Sequence, residues 1–409
     1  MNNLTRRPLG INEKVFWVID QKVAMHFALV AELKGNEPEE AWRRAIDIAQ
    51  RRHPNLSVKI TGSHYSNLRF EQVANCPIPL TVIHQKEDDN WESIVEEELQ
   101  KPLDLNNAPL ARAVLLQQPG QSTFIFISNH SIGDGISGAL VIRDILSALS
   151  GAVLTVFPHT PSLDELAGLP MSKVSDQTAP ILDEEVTMLT GGVPWPGIKV
   201  ERLELSSETT YKLIKRAKIE HTTVHSVITA AIILAGRALN HEWNDREVGV
   251  VHPLSPRKFY QAEEEYAMLV NLITIGYDTK SGHQIWDFAR TISVSIAEAK
   301  TQEWQEGALS SVGTLFNLDL DLETIYEQIL LATKSDMMVT NIGKLDFQND
   351  FGSIELKSIW GPMVITPHQA SHTIGVNTFD GRLRLTISSA KFITGLSKMV
   401  EKIIVAACE

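Results

Sequence analysis

The stretch from Phe124 to Gly138, Phe-Ile-Phe-Ile-Ser-Asn-His-Ser-Ile-Gly-Asp-Gly-Ile-Ser-Gly, constrains this chain more than any other. An apolar run ends at Ser128, the polar residues Asn129, His130 and Ser131 interrupt it, and Asp134 and Gly135 lead into a new segment. That segment carries Ile136, Leu140, Ile142, Ile145 and Leu146, an amphipathic helix that ends before Gly151. A strand stops, one imidazole is presented, and a helix begins. Histidine is the side chain best able to accept a proton near neutral pH. Rigid elements on both sides are what a catalytic base needs to keep its place. The arrangement points to proton abstraction from a nucleophile.

Composition narrows the field around that turn. At ~150 residues per domain, 409 residues make two to three domains. Hydrophobic content of 43% and charged content of 21% are those of an ordinary globular chain with ample core material. The net charge is −13, and Glu87-Asp88-Asp89 and Glu263-Glu264-Glu265 add local negative field. A polyanion is repelled by such a surface, so nucleic acid is not an expected partner. A solvated face accounts for the runs themselves. The two cysteines, Cys76 and Cys408, have no zinc or redox spacing and argue against a disulfide-stapled secreted protein. The N-terminus lacks the apolar core of a signal peptide. The longest mainly apolar stretch, Val227 to Ala235, falls short of the ~20 residues that span a bilayer. The expected location is the cytoplasm, where the sequons at Asn3, Asn55 and Asn129 carry no meaning.

Two other patterns lead nowhere chemically. His221 and His225 stand at zinc-ligand spacing, but Thr222 occupies the place of the metalloprotease glutamate and no third ligand is evident. They read as surface or packing histidines. Gly191-Gly192 does not follow a phosphate-loop pattern.

No repeat runs through the chain. Val15 to Leu33 is apolar and strand-compatible. Ala41, Trp42, Ala45, Ile46 and Ala49 form a helical stripe after Pro38, and Leu56, Val58 and Ile60 alternate as a strand. A helix is expected over Asp89–Gln100, then strands Leu110–Leu116 and Thr123–Ser128 around Pro119-Gly120. Prolines at 158, 161, 170, 180, 194 and 196 preclude a long regular element between Ala152 and Val200. Helices 207–219 and Thr223–Leu239 follow, with strands Val248–His252, Leu269–Tyr277, Met338–Thr340 and Ile354–Leu356. A hairpin, Thr373–Thr378 with Arg382–Ser388, turns at Asp380-Gly381, and a last helix covers Ile393–Ala406. Strands and helices mix without strict alternation, which indicates α+β layers. The expected division is an N-terminal half over 1–165, a crossover linker over 166–200 and a C-terminal half over 201–409.

These residues together resemble the superfamily of chloramphenicol acetyltransferase, nonribosomal peptide condensation domains and plant BAHD acyltransferases. The stand-alone, polyketide-associated acyltransferases of the phthiocerol diester-forming type look most similar. The family signature is His-His-x-x-x-Asp-Gly, and His130 to Gly135 matches it except that Asn129 replaces the first histidine. Arg52-His53-Pro54-x-Leu56, Pro102-Leu103-Asp104-Leu105, Pro109-Leu110-Ala111-Arg112, Thr222-Thr223-Val224 and Val251 to Arg257 resemble ordered family segments. So do Leu269-Val270-Asn271, Thr340-Asn341-Ile342-Gly343 and Phe379-Asp380-Gly381-Arg382-Leu383.

The resemblance implies a pseudo-dimer of two related αβ domains with the histidine at their junction, in a tunnel reached from both sides. It implies a thioester donor, acyl-coenzyme A or an acyl-carrier protein, and an alcohol acceptor, giving an ester of lipid, polyketide or other secondary metabolism. An amide-forming condensation domain and a silent carrier-binding relative are the alternatives. No metal or prosthetic group is implied. His130 is then the base, and Asp134 is structural, paired with an arginine of the other half. Arg257 is the candidate partner against a surface role. Gly135 permits close backbone passage or simply starts the helix. Asn129 either fixes the turn or is inert. Asn341 is a candidate oxyanion donor or a structural residue.

Overall fold

The computed structural model describes residues 6–62, 64–84, 90–157, 160–169, 197–278, 284–318, 320–368 and 371–409. Most of the expected linker, with Gly191-Gly192, lies outside these residues, as do the Glu87-Asp88-Asp89 run, the Asn3 sequon and the extreme N-terminus.

The first half runs β1 (Arg6–Pro8), α1 (Ile11–Asp20), β2 (His26–Lys34), α2 (Glu39–Arg52), β3 (Val58–Thr61), β4 (Arg69–Gln72) and β5 (Leu80–His84). It continues through α3 (Trp91–Glu98), β6 (Ala111–Gln118), β7 (Gln121–Asn129), α4 (Gly135–Leu149) and the short α5 (Leu163–Leu166). The second half begins with β8 (Lys199–Glu204), α6 (Ser207–Ile219), α7 (Val224–Leu239), β9 (Val248–Leu254) and β10 (Asn271–Tyr277). Then come α8 (Ile285–Ser295), α9 (Gln302–Leu315), α10 (Leu322–Ala332), β11 (Met337–Lys344), β12 (Glu355–Val364), β13 (His372–Phe379), β14 (Arg382–Ser389) and α11 (Leu396–Cys408).

Two mixed sheets carry the architecture. One has five strands in the order β12-β2-β7-β6-β5, the other six in the order β10-β9-β11-β13-β14-β8, and β1-β4-β3 form a small third sheet. β7 is buried from Phe124 to Asn129 without alternation. Both of its faces are covered, which is why the sequence there is continuously apolar rather than two-fold periodic. On one side Trp42 of α2 stacks on Phe124 with ring centroids 5.1 Å apart. On the other, Ile125 and Ile127 join Trp91, Val95 and Leu99 in a separate apolar cluster. The second sheet buries Ile374, Val376, Leu385 and Ile387 with Val227 to Ile233 of α7 and Leu396, Val400 and Ile404 of α11. The two layered halves are α+β lobes: the second has a core of its own, while the core of the first also takes in Leu309, Ile325, Ile359 and Phe379 of the second.

Several sequence expectations change. Val15 to Leu33 is not one extended segment: Ile11–Asp20 is helix and the strand starts at His26. Short apolar runs do not separate helix from strand by periodicity. Here Glu13 decides, accepting a 2.7 Å hydrogen bond from the Gly10 amide while its carboxylate pairs with Arg7 at 2.7 Å. The strand expected over Ile354–Leu356 extends through Val364 and pairs with β2 in the first sheet, so a strand of the C-terminal half completes the N-terminal sheet. Asn90 caps α3, and Leu269-Val270 precede rather than enter β10. The final helix starts later, at Leu396. Helices α8, α9 and α10 were not legible in the sequence. No single helix among the described residues is long and apolar enough to cross a bilayer; α6 and α7 together meet the length only as a pair bent by 104°.

Candidate active site

His130 follows the last residue of β7, and its backbone amide donates to the Met25 carbonyl at 2.8 Å, so the turn is stitched to the chain just before β2. Its Nδ1 lies 3.1 Å from the Gly133 carbonyl. A carbonyl only accepts, so Nδ1 carries the proton and Nε2 keeps its lone pair. The imidazole stacks on Phe16 of α1, with centroids 4.3 Å apart and planes 18° apart, and meets the edge of Phe27 at 5.2 Å. It is 8% exposed. Burial lowers its pKa to about 4, against opposing pulls from the Asp134 charge and the Gly133 carbonyl. The ring is therefore neutral across the physiological range.

Asp134 does two jobs at the next position. Its Oδ1 accepts from the Ser137 amide at 2.8 Å and caps α4. Both carboxylate oxygens accept from Nη2 of Arg257 at 3.0 Å, with the two side chains 7% and 4% exposed. Arg257 in turn donates from Nη1 to the carbonyls of Ala262 and Glu265, and the Leu269 amide donates to Asp134 Oδ2 at 3.2 Å. The turn of the first lobe is thereby held by a loop of the second. Tyr266 on that loop lies against Gly133, where an added Cβ would stand 2.6 Å from its ring, and its hydroxyl donates to Ser128 Oγ at 2.5 Å. Gly135 is a helix-start glycine for a different reason than backbone freedom. A Cβ there would meet Pro362 Cγ at 2.7 Å and Ile342 Cγ2 at 3.2 Å, so its bareness lets α4 touch β12 and β11.

A cavity of about 110 Å³ lies in front of these groups, between the lobes. His130, Asp134 and Gly135 line it together with Val15, Phe16 and Ile19 of α1. From the second half, Val251, Leu272, Met338 and Asn341 contribute, and Pro362, Val364 and His368 close another side. Asn341 Oδ1 accepts from the Gly343 amide at 2.8 Å, which leaves its amide NH₂ as the donor group. Asn129 Oδ1 accepts from Ser131 N at 2.9 Å and its Nδ2 reaches Asp20 Oδ1 at 3.4 Å. The six positions singled out in the sequence are thus gathered around one cavity or its supporting turn. Phe16, Asp20 and Tyr266 were missed: each acts across sequence distances that no local pattern reveals.

His225 Nε2 stands 2.9 Å from His252 Nδ1, and His252 Nε2 lies 3.1 Å from the Tyr277 hydroxyl. His225 belongs to this chain, away from His221. Among the described residues no group of three or more His, Cys, Asp or Glu side chains is gathered as for a metal ion.

Two family models match in succession. The condensation domain matches residues 18–153, and the phthiocerol/phthiodiolone dimycocerosyl transferase C-terminus matches residues 196–388. The first match contains the His130–Gly135 turn, and the second covers the segment whose Arg257 and Tyr266 hold that turn. The chain belongs to the superfamily that unites condensation domains with chloramphenicol acetyltransferase-like acyltransferases, and it has the two-lobed fold of that superfamily. Tyrocidine synthase 3 of Brevibacillus parabrevis is 27% identical over 154 residues, which is 36% of this chain and 2% of that protein. The chain spans only between 2% and 12% of the first peptide synthetases it matches. The structure of polyketide synthase associated protein 5 from Mycobacterium tuberculosis aligns over 98% of this chain and 97% of that one, at TM-score 0.68 and 17% identity. The TRI3 trichothecene 15-O-acetyltransferase of Fusarium sporotrichioides aligns over 99% and 96%, at TM-score 0.69 and 14% identity.

Proposed function

We propose that this protein transfers an acyl group from a phosphopantetheine thioester, carried on coenzyme A or a carrier protein, to an alcohol, forming an ester and releasing a thiol. The observation that carries the reading is the His130 imidazole: neutral, pinned through Nδ1, and facing an apolar cavity shared by both lobes. Nε2 takes the hydroxyl proton as the alcohol oxygen attacks the thioester carbonyl. The tetrahedral adduct then collapses, the C–S bond breaks, and the imidazolium returns the proton to the departing thiolate. No acyl-enzyme is needed when both substrates meet at one site, and holding them together supplies much of the rate.

Asn341 has a defined part in this scheme. With Oδ1 engaged by the Gly343 amide, its Nδ2 is the donor offered to the developing oxyanion. The apolar lining by Val15, Ile19, Val251, Leu272 and Met338 favours an aliphatic acyl chain or acceptor over a charged one. The match to a diester-forming transferase over 196–388 supports an alcohol acceptor. The condensation-domain match over 18–153 supports a carrier-bound donor and leaves an amine as the competing acceptor.

The test is thiol release by the purified protein, supplied with acyl-coenzyme A or acyl-carrier donors and with alcohols and amines in competition, beside His130→Ala. Ester formation that disappears in the variant is the expected result. Preferential amide formation would transfer the reading to peptide-type condensation. Equal turnover by both proteins would remove His130 from the mechanism.

A further inference from the structure

Asp20, the last residue of α1, is a fully buried carboxyl that the scheme above leaves unused. Its Oδ1 accepts from the Met25 amide at 2.5 Å and from Asn129 Nδ2 at 3.4 Å, while Oδ2 accepts no hydrogen bond. Met25 is the residue whose carbonyl receives the His130 amide at 2.8 Å. Asn129 is the residue whose Oδ1 receives the Ser131 amide at 2.9 Å. One carboxylate oxygen thus grips the backbone on both sides of His130, through two routes. Phe16, whose ring stacks on His130, lies one helical turn before Asp20 on the same face of α1. The clamp and the stacking ring are therefore carried by one rigid element.

The orientation of Asn129 is dictated by its partners. The Ser131 amide requires an acceptor, so Oδ1 faces it, and Nδ2 is left to meet the carboxyl. An imidazole at this place has the same pair of functions, an acceptor nitrogen and a donor N–H. An aliphatic side chain has neither. Burial pushes the Asp20 carboxyl up to about 7, while the two donors on Oδ1 oppose that rise.

We propose that Asp20 and Asn129 form a bridge that positions His130 against Phe16, with Asn129 supplying the acceptor and donor that a histidine would supply in the same position. Both are positioning residues: neither lines the cavity, and each acts through the turn. The proposal rests on the reading of His130 as the base.

Steady-state thiol release and a substrate-free measurement test it together. Asn129→Ala and Asp20→Ala are expected to lower kcat by about 10- to 100-fold with KM nearly unchanged, the cost of a misplaced base. The double variant is expected to lose no more than either single one, because both cut the same bridge. Asn129→His and the isosteric Asp20→Asn, which keep a donor–acceptor pair and an acceptor oxygen, are expected to stay within a few-fold of the parent. In protein labelled with ¹⁵N-histidine, the His130 ring, assigned by its absence in His130→Ala, is expected as the Nδ1–H tautomer in the parent, Asn129→His and Asp20→Asn. A tautomer mixture is expected in Asn129→Ala. Parental kcat in Asn129→Ala, additive losses in the double variant, or Asn129→His as impaired as Asn129→Ala would overturn the bridge. If His130→Ala keeps full turnover, the base assignment falls instead, and the ring spectra still decide whether the bridge holds the imidazole.

Discussion

At the scale of single residues, the site is a neutral histidine made effective by what surrounds it. Its low pKa sets the expected pH dependence. The active form is the unprotonated ring, which is present above about 4 and lost as pH falls through that value. The acidic limb of kcat/KM is therefore expected well below the pKa of ~6.5 of a solvated histidine. A profile that falls off near that ordinary value would show that the ring is solvated during turnover. His130→Gln is expected to lower kcat roughly 10²- to 10⁴-fold, the usual range for a general base, without changing the thermal midpoint by much. Asn341→Ala is expected to cost about 10²- to 10³-fold in kcat, the usual loss for one oxyanion donor, read in the same assay.

At the scale of elements, the turn between β7 and α4 is held from the other lobe. Arg257 reaches Asp134 from the segment after β9, and Tyr266 covers Gly133 from the loop before β10. A buried ion pair broken on one side leaves an uncompensated charge, so Arg257→Ala is expected to lower unfolding free energy by roughly 3–5 kcal/mol, measured by denaturant titration. The same variant should lose activity even where it remains folded, since the loop that fixes the histidine turn loses its anchor. Gly135→Ala would drive a Cβ to 2.7 Å from Pro362, and overpacking of this kind typically costs about 1–3 kcal/mol. Much at this scale was readable in advance. The β7–α4 junction, the α7 helix and the hairpin β13–β14 follow from periodicity and turn residues that act over a few positions. Helix α1 was not readable, because its apolar residues face a cavity wall and a core at once and its start depends on Glu13 meeting Arg7.

At the scale of the whole molecule, the lobes are interlocked rather than merely adjacent. β12 leaves the second half to pair with β2, and β8 lies close to α3, where the Arg202 guanidinium sits 5.3 Å from the rings of both Trp91 and Trp360. Buried histidines distribute a pH sensitivity over this interlocked body. Burial lowers His26 and His252 to about 3 and His130 and His225 to about 4. The unfolded chain binds these protons near the ordinary pKa of ~6.5, so stability is fully present above that value and is lost as pH falls toward 4. Each such group contributes up to about 1.4 kcal/mol per pH unit in that window. Asp20, raised to about 7, acts in the opposite sense and offsets part of the slope. Thermal midpoints recorded from pH ~7 down to ~4 are expected to fall, by an amount set by more than one proton. A flat profile would contradict the buried neutral state of these rings.

The sequence alone determined the strand–turn–helix that presents His130, the α+β layering and the family, because each depends on short-range periodicity or on residues adjacent in the chain. Arg257 was named from the sequence only as a candidate partner of Asp134, and the tertiary structure decided that pairing, as it decided that Tyr266 covers the turn, that β12 completes the opposite sheet, and that Asp20 reaches Asn129. Those contacts join segments up to hundreds of positions apart. Their geometry follows from how the lobes pack, and a linear pattern carries no record of which distant surfaces meet.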